Sequence, residues 1–196
     1  MPTIQVRDIE MYYERSGTGP RLLCIGGSGG DLRGKPGTFD GPLVEHFDLL
    51  CFDQRGLGQT DAPEGPYTMA DYGEDAAALI TALDFAPCLV MGVSFGGMVA
   101  QELVCRHPQL VTGLVLACTS PGGPNYASYP LHTLTDLGSR ERAIATTEIS
   151  DTRYDAQWRE AHPTASENLL NLIEARSKPQ SEKNLRGMAL QLEARS

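Results

Sequence analysis

The chain has 196 residues and a net charge of −9, with 41% hydrophobic and 21% charged residues, an ordinary globular composition rather than a disordered one. That length allows one well-buried domain, alone or with a small appendage. The acidic balance offers no basic face for nucleic-acid phosphates, no apolar run approaches the roughly 20 residues that cross a bilayer, and the opening MPTIQVRDIE lacks the basic-then-apolar order of a signal peptide.

In chain order, Ile4 to Arg7 and Glu10 to Arg15 read as two short strands joined by a turn at Asp8-Ile9. Four apolar runs follow: RLLCIGG, FDLLCFD, APCLVMGV and VTGLVLACTS. Runs apolar at nearly every position suit a parallel sheet covered on both faces by helices. Between them, Met69, Tyr72, Ala76, Leu79, Ile80 and Leu83 recur at helical spacing, with Thr68 and Asp71 placed as a capping box. A second helix is predicted over Phe95 to Arg106, stopped near His107-Pro108. Alternating strands and helices predict a doubly wound α/β fold. After SPGGPN no β-run appears, only loops and helical stretches such as SENLLNLIEAR and EKNLRGMALQLEAR. The expected organisation is a core over residues 1–120 and a helical region over 121–196. The five cysteines (Cys24, Cys51, Cys88, Cys105 and Cys118) are odd in number and mostly within apolar runs. They read as buried free thiols of a reducing compartment, which makes the cytoplasm the expected location.

Gly92-Val93-Ser94-Phe95-Gly96 joins an apolar strand to an amphipathic helix. This is the setting of a nucleophile elbow: the serine occupies a strained turn, and glycines two residues to either side avoid collision with neighbouring backbone. Gly97 is expected to let the helix approach the sheet. With this segment in place the chain resembles the α/β-hydrolase superfamily, in its serine-nucleophile branch. The family's Asp-x-Arg-Gly-x-Gly-x-Ser/Thr segment is matched by Asp53, Arg55, Gly56, Gly58 and Thr60, and reads as a structural loop. The family's His-Gly pair after the first central strand is replaced by Gly26-Gly27. The resemblance implies an α/β-hydrolase fold, a mostly parallel sheet flanked by helices, with a helical cap after Pro121. It makes Ser94 the catalytic nucleophile and the backbone N–H groups of Ser28 and Phe95 the oxyanion donors. It also implies acyl transfer on a small ester, lactone or related substrate through an acyl-enzyme. Carbon–carbon bond hydrolysis, hydroxynitrile lyase and perhydrolase chemistry stay open. Leu131, Leu134, Leu137 and Trp158 are candidate pocket residues of the cap, equally suited to packing within it.

Gly29 to Lys35 imitates a phosphate-binding loop, but Pro36 replaces the Ser or Thr that would hold Mg²⁺ and lacks an N–H. No His, Cys or carboxylate cluster has metal-ligand spacing, so neither metal nor cofactor is expected. The family order Ser, then Asp or Glu, then His leaves a base to be found. His46 and His107 flank elements that hold them away from Ser94, and His132, His162, Asp136, Asp151 and Asp155 read as surface residues of the appendage. The expectation is that the last strands, with the acid and the base, are missing from these residues. The partners would then be a small acyl substrate and either a complementary C-terminal polypeptide or a second copy, with no nucleic acid and no membrane. A non-catalytic binding module and an inactive truncated product are the alternatives.

Overall fold

The computed structural model describes residues 2–123, 129, 131–176 and 181–195, the side chains of residues 131, 132, 135, 175 and 176 excepted. Six strands form one sheet: β1 (Thr3–Val6), β2 (Ile9–Ser16), β3 (Arg21–Ile25), β4 (Asp48–Phe52), β5 (Cys88–Val93) and β6 (Val111–Ala117). Their order is β1-β2-β4-β3-β5-β6. β1, β2 and β4 pair antiparallel, while β4, β3, β5 and β6 run parallel. The first hairpin turns at Arg7-Asp8, one residue earlier than expected, with Arg7 at φ = 50°.

The apolar runs form strands because both faces are covered. Leu23 and Ile25 of β3, with Leu50 and Phe52 of β4, lie in the larger cluster. It is completed by α2 (Met69–Ala82) and α3 (Phe95–Arg106). Leu22, Cys24, Leu49 and Cys51 point the other way, onto Leu43 and Val44 of the short α1 (Leu43–His46). α2 begins with the capping box expected of it: the Thr68 hydroxyl accepts the Asp71 N–H, and the Asp71 carboxylate accepts the Thr68 N–H. All five cysteines are free; Cys24, Cys51 and Cys88 are buried, but Cys105 and Cys118 are exposed, contrary to a uniformly buried set. Burial pushes the Cys88 thiol up to about 11, which keeps it protonated and inert.

β6 differs from the other parallel strands. It pairs with β5 on one side only, and Leu114, Val115 and Leu116 are 38%, 54% and 43% exposed.

The chain divides into two compact units, Met1–Ser128 with Ser181–Ser196, and Tyr129–Gln180. Residues 181–196 therefore fall with the strands, whereas a division at 120 assigns them to the appendage. The reason lies in α7 (Glu182–Ala194), whose Leu190 and Ala194 pack against the larger apolar cluster. The second unit contains α4 (Ser139–Ser150), α5 (Ala156–Ala161) and α6 (Pro163–Arg176), with Leu134, Ala143 and Leu170 buried. Among the described residues no helix is long and apolar enough to cross a membrane.

Candidate active site

Ser94 stands between β5 and α3 with φ = 53° and ψ = −121°, a conformation that non-glycine residues hold only where their surroundings impose it. Three hydrogen bonds impose it. The Ser94 N–H donates to the Ala117 carbonyl at 2.9 Å, and the Ser94 carbonyl accepts the Gly97 N–H at 2.9 Å and the Thr119 hydroxyl at 2.7 Å. The flanking glycines are required by space. A Cβ at Gly92 would lie 2.3 Å from the Gly96 carbonyl oxygen, and one at Gly96 would lie 2.2 Å from that of Ile25. Gly97 faces Thr119, where a Cβ would come within 2.6 Å, so this glycine admits the segment after β6. The Ser94 side chain is half-buried and bonds to no described residue.

The loop after β3 lies against the elbow: a Cβ at Gly27 would be 3.4 Å from the Ser94 Cβ. Gly27 to Gly30 form a turn, closed by the Gly30 N–H donating to the Gly27 carbonyl at 3.2 Å, with Gly29 at φ = 68°. Left-handed φ at the third residue is the mark of a type II turn, which needs glycine there. The N–H groups of Ser28, in this turn, and of Phe95, at the head of α3, donate to no group among the described residues.

The turn is held from three sides. The Gln54 Nε2 donates to the Gly26 carbonyl at 2.8 Å, the Gly29 N–H donates to Gln191 Oε1 at 3.0 Å, and the Leu32 N–H donates to Asp53 Oδ1 at 2.8 Å. Asp53 also accepts the Gln59 N–H at 2.8 Å, so one carboxylate ties the loop after β3 to the loop after β4. Burial raises the Asp53 pKa, against the pull of those backbone donors. Arg55 is buried between Asp75 and Asp8, at 2.8 and 2.7 Å. Burial disfavours its charge, but the hydrogen bonds with Asp75 and Asp8 outweigh this and hold its pKa above the ordinary value. Asp53 and Arg55 thus brace loops, as the sequence reading expects.

Reading the sequence finds the helix of α7 but misses the contacts that it and Gln54 make with the site loops. Asn184 Oδ1 accepts the Gly58 N–H, Lys183 Nζ donates to the Gly58 and Thr60 carbonyls, and Gln191 meets Gly29. Asn184 and Gln191, seven residues apart, share one helical face. Two buried amides on such a face were the available signal.

The candidate bases do not assemble at Ser94 within the strand-bearing unit. His107 closes the far end of α3, with Nε2 3.1 Å from Glu74, and His46 ends α1. In the second unit His162 is stacked on Trp158, its Nδ1 3.0 Å from the Trp158 carbonyl oxygen. Asp151 is held down to about 2 by Arg153, and Asp155 caps α5 through the Trp158 N–H. Leu134 is buried and Trp158 half-buried against Tyr154. The side chains of Leu131 and His132 lie outside the described residues. Among the described residues no group of three or more His, Cys, Asp or Glu is placed to hold a metal ion. A cavity of about 570 Å³ opens among Arg15 to Gly19 and Asp48, at the amino ends of β3 and β4, whereas Ser94 follows the carboxyl end of β5.

The profile of the alpha/beta hydrolase fold family matches residues 20–194. The chain belongs to that family. Among its α/β-hydrolase relatives, the Mycobacterium tuberculosis protein named "Putative non-heme bromoperoxidase BpoC" is 40% identical over 112 residues, covering 57% of this chain and 42% of the relative. The chain thus spans about two fifths of the length of that curated relative. Among solved α/β-hydrolase structures, the enol-lactonase of Burkholderia xenovorans LB400 superposes with a TM-score of 0.66 at 25% identity, covering 99% of this chain and 73% of the enzyme. A hydrolase of Pseudomonas aeruginosa PA01 gives a TM-score of 0.64 at 26% identity, with 99% and 71% covered.

Proposed function

We propose that these residues form the nucleophile-bearing part of a serine hydrolase acting on a small ester, lactone or related acyl substrate. The observation that carries the reading is the Ser94 turn, strained in the left-handed region, with the Gly27 loop against its side chain. In this reading the Ser94 hydroxyl attacks the substrate carbonyl, and the negative charge on the tetrahedral oxygen is met by the Ser28 and Phe95 N–H groups. The dipole of α3, whose head lies beside Ser94, adds to that stabilisation. Collapse expels the alcohol and leaves the acyl group on Ser94 for water to remove. A serine hydroxyl needs a base for the first step, and the proposed source is a further segment, pairing along β6, that carries a histidine and its orienting carboxylate. The enol-lactonase among the structural neighbours supports an ester or lactone substrate.

The test is covalent labelling with a fluorophosphonate, read by mass spectrometry, on the chain alone and with the C-terminal segment of a relative added. Labelling at Ser94, faster with the added segment and absent in Ser94→Ala, is the expected result. In the complemented form Ser94→Ala should lower ester turnover by on the order of 10⁶. Equal labelling of Ser94→Ala, or none under either condition, would overturn the reading.

A further inference from the structure

The turn that carries the Ser28 N–H is built from Gly26, Gly27, Gly29 and Gly30 around a single serine. Such a segment has little intrinsic reason to keep one shape, since glycine occupies both signs of φ about equally. Its shape matters for chemistry. In a four-residue turn of this kind the central peptide can flip between type I and type II, which reverses the Ser28 carbonyl and the Gly29 N–H. The Gly27 carbonyl is turned inward by the Gly30 N–H; across a trans peptide the Ser28 N–H then points outward. The flip leaves the Gly27–Ser28 peptide in place, so what holds the turn as a whole against the elbow fixes where the Ser28 N–H stands.

We propose that Gln191 is a positioning residue for this turn, assisted by Gln54. It rests on the reading of Ser94 as the nucleophile. Gln191 is 1% exposed, and its Oε1 accepts the Gly29 N–H, the group that a type I flip would turn away. Met188, three residues earlier on the same face of α7, fills the space over Gly29, where a Cβ would meet its sulfur at 2.9 Å. At the turn's entrance the buried Gln54 holds the Gly26 carbonyl. Both glutamines hold one backbone group and leave the other end of the amide buried without a partner: Gln191 Nε2 and Gln54 Oε1 bond to nothing among the described residues. An apolar side chain would fill the same space with no orphaned side-chain atom, at the loss of the hydrogen bond to the Gly29 N–H or the Gly26 carbonyl. The two amides are therefore poor choices for packing alone, and each meets a backbone group of the one loop that carries the outward-facing amide. They occupy the role left open where the family's histidine is replaced by Gly26.

The experiment compares the unmodified chain with Gln191→Met and Gln191→Glu by amide hydrogen exchange of Gly29, thermal melting, and acylation of Ser94 by p-nitrophenyl acetate in the presence of the C-terminal segment of a relative. Gln191→Met keeps length and removes both the acceptor and the orphaned donor. It should melt close to the unmodified chain while the Gly29 amide loses its protection. Ser94 acylation should slow by about tenfold to a hundredfold, as misaimed oxyanion donors do, with the half-saturating ester concentration unchanged. Gln191→Glu retains an acceptor at the same reach and should recover most of both. Gly29 protection unchanged in Gln191→Met, or lost with acylation unchanged, overturns the proposal. If the unmodified chain is not acylated even with the added segment, the reading of Ser94 fails separately. Gly29 exchange still decides the bracing role: protection retained in Gln191→Met overturns it, and protection lost upholds it.

Discussion

At the scale of single residues, the elbow is defined by where a methyl group cannot go. Gly96→Ala would place a Cβ 2.2 Å from the Ile25 carbonyl oxygen and 2.4 Å from that of Gly26. Both obstacles are backbone, so α3 and the end of β3 must separate. The expected cost is about 1–3 kcal/mol by urea unfolding, with loss of Ser94 labelling. Gly26→Ala is the contrasting case, because nothing lies within 4 Å of its Cβ position. That variant should unfold within about 0.5 kcal/mol of the unmodified chain. The glycine–serine–glycine pattern is legible in sequence because its spacing is itself the motif, although only Gly92 acts on nearby atoms and Gly96 makes room for distant Ile25 and Gly26. Gln191 was not, because its partner Gly29 is 162 positions distant and only the docking of α7 joins them.

Among the elements, the loop after β4 owes its rigidity to Arg55, which links Asp8 of the first hairpin to Asp75 of α2. Arg55→Met would leave the Asp75 carboxylate buried with Arg7 as its remaining cation, at 2.7 Å. Removing one partner of a buried pair costs about 3–5 kcal/mol, and the Arg7 contact should bring the result to the lower end, measured by urea unfolding. The same link makes a pH prediction. The hydrogen bond from Arg55 holds the Asp8 carboxyl below its ordinary 3.8. A lowered acid contributes stability above its unfolded value and loses it as pH falls through the folded one. The unfolding midpoint should therefore drop between pH 5 and 3, and less so in Arg55→Met. Asp8 is 57% exposed on its side chain, so solvent screening keeps the step small. The strands and α2 and α3 were legible because apolar runs, helical spacing and a capping box are local signals. The assignment of α7 to the strand-bearing unit was not, since its amphipathic pattern names no partner.

At the scale of the whole molecule, the unsatisfied surface is β6. Among the described residues its outer edge pairs with no strand, its apolar side chains there are 38–54% exposed, and such an edge invites another strand. Sedimentation of the isolated chain should show self-association that Val115→Lys reduces; a monodisperse monomer would refute it. The enol-lactonase superposition leaves part of that longer chain unmatched, and that part is the segment to add in the same measurement. Ser94 hangs from β6, on the side that faces β5. Its N–H is bonded to the Ala117 carbonyl and its carbonyl to the Thr119 hydroxyl, both at the exit of β6. Nucleophile and vacant edge are thus mechanically one part, like a trigger mounted on a latch. A strand seated along β6 stiffens the anchor of Ser94 from outside, so a fluorogenic phosphonate carried on that serine should change its emission when the latch is filled. The elbow is then a built-in gauge of whether the sheet has been extended.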